Sequence, residues 1–296
     1  MTLDVFEGRP TTFPKAPLIA LDTLWLQVAG TVCNLACTHC FISCSPTNHS
    51  HEMMSRRDVE RSLAEALPLG VKEFYLTGGE PFLNPQIFEI LEALLKEGPV
   101  TVLTNGILIL KREAAKLRAL SEGSDYSLDI RVSMEGFDAA TNDPIRGTGT
   151  FDRIVAGILN LHEARLNPVI TVSEAMNDAG ATASRERFLV FLRGLGLDRP
   201  RLKIMPLLRL GAEEKRTRGY AAWESLQGVT LDDNAARSLV CSSGRMVTSK
   251  GVFVCPILID SDTARMGVTL ADGLRPFELS SRACHTCYVE GLSCRT

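Results

Sequence analysis

The middle of this chain alternates short β-rich runs with helical patterns, and this alternation limits the possible folds more than any other feature. The predicted strands cover residues 24–28, 73–77, 101–104, 128–132, 169–172 and 201–205. Parallel strands need right-handed crossovers, so six such units form either an open doubly wound sheet or a partly closed barrel. In both folds the loops that follow the strand carboxyl ends form the active site.

Helix signals separate the predicted strands. A helix is expected from Ser55, which forms a capping-box pair with Asp58, and another from Asn84 and Pro85 as N-cap and first residue. Further helices are predicted over residues 111–120, 150–164 and 184–193.

The periodicity weakens after Leu210, which predicts a boundary there. We expect an N-terminal extension over residues 1–20, the sheet or barrel over 21–210, and a small unit over 211–296. The last unit has a predicted hairpin, residues 246–248 and 252–254, followed by cysteine-rich loops. Such a segment has a poor core of its own, so a bound metal or cluster would add the missing stability.

Composition excludes several classes of protein. With 32 Lys and Arg against 35 Asp and Glu, the net charge is −3, so the chain has no basic field that would attract nucleic acid or anionic membranes. No run approaches the ~18 uncharged apolar residues of a membrane span. The first residues lack the cationic start and apolar block of a secretory signal. We therefore expect a cytoplasmic protein without nucleic-acid or membrane partners.

The nine cysteines fall into two clusters, with none in the region between them. They are Cys33, Cys37, Cys40 and Cys44 near the start, and Cys241, Cys255, Cys284, Cys287 and Cys294 near the end. In a reducing compartment, clustered cysteines usually bind metal or take part in chemistry.

The first three thiols directly follow a predicted strand. Three thiolates can hold three irons of a [4Fe–4S] cubane and leave the fourth iron open for a substrate. The spacing is equally compatible with zinc bound by the three thiols and by Cys44, His39 or His49.

Residues 33–40, CNLACTHC, resemble the CxxxCxΦC signature of the radical S-adenosylmethionine (radical SAM) superfamily, with His39 at the aromatic position. Further matches follow later strands in order. Residues 78–80 resemble the GGE motif of the family, 104–106 its TNG turn, 132–136 its fourth-strand segment and 143–147 a following segment that contains an arginine. Glu135 stands where the family usually has Asp.

The resemblance implies roles for these residues, and it favours a partial (β/α)6, TIM-like barrel. Gly78 and Gly79 would let the backbone approach the methionine amino group of S-adenosylmethionine, and Glu80 would accept a hydrogen bond from that amino group. Ser133 would position the ribose or the carboxylate, and Arg146 would pair with the carboxylate. With His39 and Asn105, these residues form the predicted S-adenosylmethionine site.

The implied reaction needs an electron from a flavodoxin- or ferredoxin-type donor. A [4Fe–4S] cluster on Cys33, Cys37 and Cys40 would pass it to S-adenosylmethionine, giving methionine and a 5′-deoxyadenosyl radical that abstracts hydrogen from a substrate. Cys44 is interpreted as structural, because a fourth protein sulfur on the open iron would leave no site for S-adenosylmethionine. No catalytic acid or base is assigned.

The second cluster resembles the shortened SPASM, or twitch-like, extension of radical SAM enzymes. This resemblance implies an auxiliary [4Fe–4S] cluster on Cys241, Cys255, Cys284 and Cys287, with Cys294 as a spare or substitute ligand. A zinc ribbon is the alternative. An auxiliary cluster favours net oxidation, such as dehydrogenation or radical bond formation, and hence an oxidoreductase.

The substrate is expected to be a small metabolite, because the ~20 residues before the first strand are too few for a leader-binding domain. The alternative is a peptide-modifying enzyme of the kind that matures ribosomal peptides. A non-catalytic zinc or iron–sulfur protein, acting in redox or as a scaffold, is the competing class.

Overall fold

The computed structural model describes residues 12–173 and 181–291. Its main feature is a nine-stranded sheet with the order β10-β9-β8-β2-β3-β4-β5-β6-β7. Six consecutive parallel strands form the body of this sheet: β2 Thr23–Gln27, β3 Glu73–Thr77, β4 Val100–Thr104, β5 Leu128–Ser133, β6 Val169–Ser173 and β7 Arg201–Met205. Within the described ranges β7 and β10 do not pair with each other, so the predicted partial barrel is confirmed.

Six helices connect or follow these strands: α1 Arg56–Ala66, α2 Ile87–Leu94, α3 Lys111–Glu122, α4 Ala139–Arg146, α5 Thr150–Glu163 and α6 Ala181–Gly194. Side chains alternate along each strand. One set packs into the core, where Leu24, Leu26, Phe74 and Leu76 are fully buried. The other set lines the inside of the barrel.

The predicted start of α1 is correct, and that of α2 is wrong by two residues. Ser55 and Asp58 form a reciprocal capping box. The N-cap of α2 is Gln86 rather than Asn84. The side-chain amide of Asn84 instead donates to the carbonyls of Val28 (2.7 Å) and Met54 (2.8 Å). These two hydrogen bonds connect two irregular segments that follow β2.

The C-terminal part adds strands to the same sheet. The predicted hairpin is observed as β8 Gly244–Thr248 and β9 Gly251–Phe253, followed by β10 Arg265–Gly267. β8 pairs in parallel with β2, on the side opposite β3. A separate two-stranded ladder joins β1 Lys15–Ala16 to β11 Phe277–Glu278.

Three short helices complete the C-terminal part: α7 Gly211–Arg216, α8 Asp233–Ser238 and α9 Ala283–Glu290. The prediction of loops around Cys284 and Cys287 is wrong, because both lie on α9. Its buried residues are Ala283, Cys284 and Thr286, so it lacks the stripe of large apolar residues that indicates a helix in a sequence. No helix in the described part of the chain is both long and apolar enough to cross a membrane.

Candidate functional site

A cavity of about 270 Å³ opens at the carboxyl ends of the parallel strands, as the fold predicts. It gathers most of the predicted site residues, which lie far apart in the sequence: Cys33, Cys37, His39, Cys40, Gly78, Gly79, Asn105, Ser133 and Arg146. Glu80 does not line this cavity and lies directly behind it, bonded to Thr104 and Asn105.

Hydrogen bonds surround the sulfurs of the first cysteine loop. The amide of Leu35 donates to the Cys33 sulfur (3.4 Å), and the amide of Cys44 donates to the Cys40 sulfur (3.3 Å). The side-chain amide of Asn105 lies 3.8 Å from the Cys33 sulfur. Such N–H···S contacts tune iron–sulfur centres.

The pKa values of these thiols differ because their surroundings differ. Burial raises the pKa of Cys33 to about 12. The pKa of Cys40 is lowered to about 6, chiefly because the Cys44 thiol donates to it, and the pKa of Cys44 is raised by the same contact. Cys44 is buried beside the first three thiols, and its thiol also lies 3.8 Å from the Gly78 carbonyl oxygen, to which it can donate.

The donor set fits an iron–sulfur cluster, since Cys33, Cys37 and Cys40 share one cavity, which Cys44 also lines. Within the ranges that the structure covers, no three Cys, His, Asp or Glu side chains converge on one point as ligands of a single ion do. The ligands of a cubane bind separate irons and need not converge in that way.

Gly78 and Gly79 pack against the cysteine loop. A Cβ on Gly79 would lie 1.9 Å from the Val32 carbonyl oxygen, and Gly78 has a φ of +144°. The amide of Gly79 donates to the Gly30 carbonyl at 2.8 Å. Only glycine permits so close an approach of the two backbones.

Glu80 is a fully buried carboxylate that accepts several hydrogen bonds. It accepts from the amides of Phe82 (3.1 Å) and Asn105 (2.8 Å) and from the Thr104 hydroxyl (2.7 Å). Burial raises its pKa to about 7 despite these hydrogen bonds. Among the described residues Glu80 forms no salt bridge, so its carboxylate is available to accept hydrogen bonds from the ammonium group of a ligand.

A network around Glu135 holds two of the predicted site residues. Its carboxylate contacts His39 Nε2 (2.9 Å), Arg146 Nη2 (2.8 Å), and the amide (3.0 Å) and hydroxyl (2.5 Å) of Ser173. Burial by itself would raise the pKa of Glu135, but the Arg146 cation and His39 hold it at about 2. Sequence reasoning missed the roles of Glu135 and Ser173, although a Glu in place of the usual Asp was the available signal.

The same network leaves polar atoms available to a ligand. In the described part of the chain, four buried atoms of cavity-lining residues have no hydrogen-bond partner: Trp25 Nε1, His39 Nδ1, Arg146 Nε and Thr171 Oγ1. Buried polar groups are normally satisfied, so these atoms indicate a bound group. The contact of Arg146 with the methionine carboxylate stays a prediction.

The second cysteine set lines an apolar cavity of its own. Cys241, Cys255, Cys284 and Cys287 face it together with Leu239, Val254, Phe277 and Leu279. Burial raises the pKa of Cys241 to about 11 and also raises that of Cys284, whose thiol lies near Cys255 and Cys241. Cys294, the predicted spare ligand, lies outside the described residues. Four thiols within apolar walls fit a fully ligated cluster.

Ile257 separates the two cavities. It lines the cavity of the second cysteine set and also the cavity at the strand ends. The two thiol sets, about 200 residues apart in the sequence, therefore border a common wall.

Comparisons with known proteins agree with this arrangement. Residues 28–191 match the profile of the Radical SAM superfamily. The chain is 31% identical over 246 residues to the mycofactocin maturase MftC of Mycobacterium ulcerans (strain Agy99), covering 80% of this chain and 60% of that protein. It is 31% identical over 189 residues to a probable GTP 3′,8-cyclase of Thermoplasma volcanium, covering 62% and 49%.

A solved structure shares the fold. SuiB of Streptococcus suis, bound to its precursor peptide SuiA, superposes with a TM-score of 0.63 at 16% identity, covering 93% of this chain and 65% of that one. In the mycofactocin maturases, the matched segments span only 32% to 60% of each relative's own length.

Proposed function

The chain belongs to the radical SAM superfamily, and we propose that it catalyses the net oxidation of a small organic substrate with the help of a second iron–sulfur cluster. The cofactors of the family are S-adenosylmethionine and a [4Fe–4S] cluster, which when bound supply hydrogen abstraction by a 5′-deoxyadenosyl radical. In this chain Cys33, Cys37 and Cys40 would hold that cluster.

The residues around the cavity would bind and orient S-adenosylmethionine. The Glu80 carboxylate would accept hydrogen bonds from the methionine ammonium. The positive charge of the ammonium favours the ionised form of Glu80, so Glu80 would lose any proton that it carries before binding. Arg146 Nε and the Ser133 hydroxyl are available to the carboxylate or ribose oxygens. Glu135 fixes the Arg146 and His39 side chains, so these contacts would form without reorganisation.

The second thiol set would hold an auxiliary [4Fe–4S] cluster on Cys241, Cys255, Cys284 and Cys287. The observation that carries the oxidative proposal is the position of Ile257, which among the described residues is the one that lines both cavities. A group that accepts electrons would then lie beside the reacting substrate, which favours dehydrogenation or radical bond formation.

Reconstitution of the full chain tests the proposal. After anaerobic treatment with iron and sulfide, we expect about eight irons per chain, four for each cluster. With dithionite and S-adenosylmethionine the chain should release 5′-deoxyadenosine, and the Cys33→Ala, Cys37→Ala and Cys40→Ala variants should not. A colourless, zinc-loaded protein that leaves S-adenosylmethionine intact would instead indicate the non-catalytic class. We expect a flavodoxin- or ferredoxin-type protein to replace dithionite, as in a reducing cytoplasm.

A peptide is the second candidate substrate. It is favoured by the similarity to a mycofactocin maturase and by the fold shared with SuiB, which was solved with a precursor peptide. A filtered low-mass extract of the source cells should stimulate 5′-deoxyadenosine release in either case. Prior protease treatment should leave the stimulation unchanged for a small metabolite and abolish it for a peptide.

A further inference from the structure

A buried arginine lies beside the second thiol set. Arg245, on β8, is the bulkiest fully buried side chain in the described part of the chain. Its guanidinium donates to four backbone carbonyls: Gly273 (2.8 Å), Cys241 (2.6 Å), Gly244 (2.7 Å) and Arg275 (3.0 Å). All four acceptors are neutral, so these bonds satisfy the donors without balancing the charge.

The missing element is a counter-charge. Within residues 12–173 and 181–291, Arg245 forms no ion pair with a carboxylate. The charged or ionisable groups close enough to affect it are the Cys241 and Cys255 thiols and the cation of Arg275. A buried charge without a partner is costly, and removal of water strengthens its interaction with any nearby anion.

The four-thiol cavity is where that anion would be. A [4Fe–4S] cluster with four thiolate ligands is negatively charged, and it gains one more negative charge when it accepts an electron. A buried cation at a fixed position therefore stabilises the reduced form more than the oxidised form. Charge, hydrogen bonding and burial are the known controls of cluster potential.

We propose that Arg245 is the counter-charge of the auxiliary cluster and raises its reduction potential, so that the cluster accepts electrons from the substrate side. This inference rests on the proposed function, because it requires a cluster on the four C-terminal thiols. Arg245 is not among the residues that line the cavity at the strand ends, so its role would be electrostatic rather than catalytic. Its charge, rather than its carbonyl contacts, sets the potential.

The test measures the midpoint potential of the auxiliary cluster in the full chain. The Cys33→Ala, Cys37→Ala and Cys40→Ala substitutions remove the other cluster, and dithionite titration is followed by electron paramagnetic resonance. Arg245→Met removes the charge, and Arg245→Lys keeps the charge while losing the fork of carbonyl contacts. Arg275→Gln is the matched control, since this nearby cation is exposed and screened by water.

We expect Arg245→Met to disfavour reduction by about tenfold or more, a shift of about 59 mV to lower potential for one electron. Arg245→Lys and Arg275→Gln should stay within about threefold of the parent, because each keeps a buried cation. A Met variant with the potential of the control overturns the inference.

Arg245→Met leaves four carbonyls without donors, and failure to fold is one outcome of this substitution. In that case Arg245→Gln decides, because it removes the charge and keeps an amide that can donate to two of the carbonyls: a tenfold shift to lower potential supports the role of charge, and the potential of the parent contradicts it. Absence of any cluster in the parent with intact Arg245 would instead overturn the proposed function.

Discussion

The network around Glu135 makes a quantitative prediction for Glu135→Gln. Arg146 and Glu135 are both buried, with side chains 7% and 2% exposed. Removal of one partner from such a pair costs about 3–5 kcal/mol, because the other charge stays buried without compensation. At about 2–4 °C per kcal/mol for a chain of roughly this size, the melting temperature should fall by about 6–20 °C.

The matched control is Glu113→Gln. Glu113 is also buried, but its partner Arg112 has a side chain 78% exposed, so the pair contributes at most about 1 kcal/mol. Melting curves of the metal-free, reduced proteins provide the comparison. Equal losses for the two variants would refute the argument from burial.

The pH dependence gives an independent check on Glu135→Gln. The pKa of Glu135 lies at about 2 in the folded chain, against an ordinary value of 4.5. A lowered pKa stabilises the fold above pH 4.5, and this contribution is lost as pH falls toward 2. The difference in stability between wild type and Glu135→Gln should therefore decrease as the pH falls from 4.5 toward 2. A gap that is constant with pH would contradict this assignment.

Three further substitutions test the first thiol set, the S-adenosylmethionine site and the second thiol set. In wild type, S-adenosylmethionine affinity measured by calorimetry should weaken about tenfold per pH unit below about pH 7, where Glu80 becomes protonated. The Glu80→Gln variant should bind S-adenosylmethionine weakly, with an affinity that does not change over this pH range. Gly79→Ala should lower cluster content measured as iron, because its Cβ meets the Val32 carbonyl at 1.9 Å, whereas Gly194→Ala meets nothing within 4 Å and should not. Cys284→Ala should lose about four irons and substrate oxidation while 5′-deoxyadenosine release persists; unchanged product formation would contradict its role.

The barrel strands could be predicted because their signals are local. The run at residues 101–104 is observed as Val100–Thr104, and the run at 169–172 as Val169–Ser173. Helix α4 was not predicted, because Pro144 lies inside it and a proline argues against a helix. Its N-cap is Asp138, whose side chain accepts from the Thr141 amide.

The site was predictable only where motifs marked it. Cys33, Gly79 and Asn105 follow three different strands, and parallel pairing brings them to one end of the sheet. The partners of Glu135 could not be found in the same way. His39 and Ser173 are 96 and 38 residues away from it, and their contacts depend on side-chain length and packing rather than on a local pattern.

The topology also explains how the cavities of the two thiol sets come to share a wall. The first set follows the carboxyl end of β2. Cys241 precedes β8, which runs parallel to β2, and Cys255 follows β9, which returns antiparallel to β8. Cys241 and Cys255 therefore lie near the other end of this strand pair, and Ile257, two residues after Cys255, lines both cavities.

The pairing of β2 with β8 thus has both a functional and a structural consequence. Trp25 on β2 and Met246 on β8 are register partners, and both line the cavity at the strand ends that holds the first thiol set. The strand pair therefore helps to fix the distance between the two thiol sets. It also joins the C-terminal strands to the barrel, because removal of β8 would leave the backbone N–H and C=O groups along one side of β2 without partners.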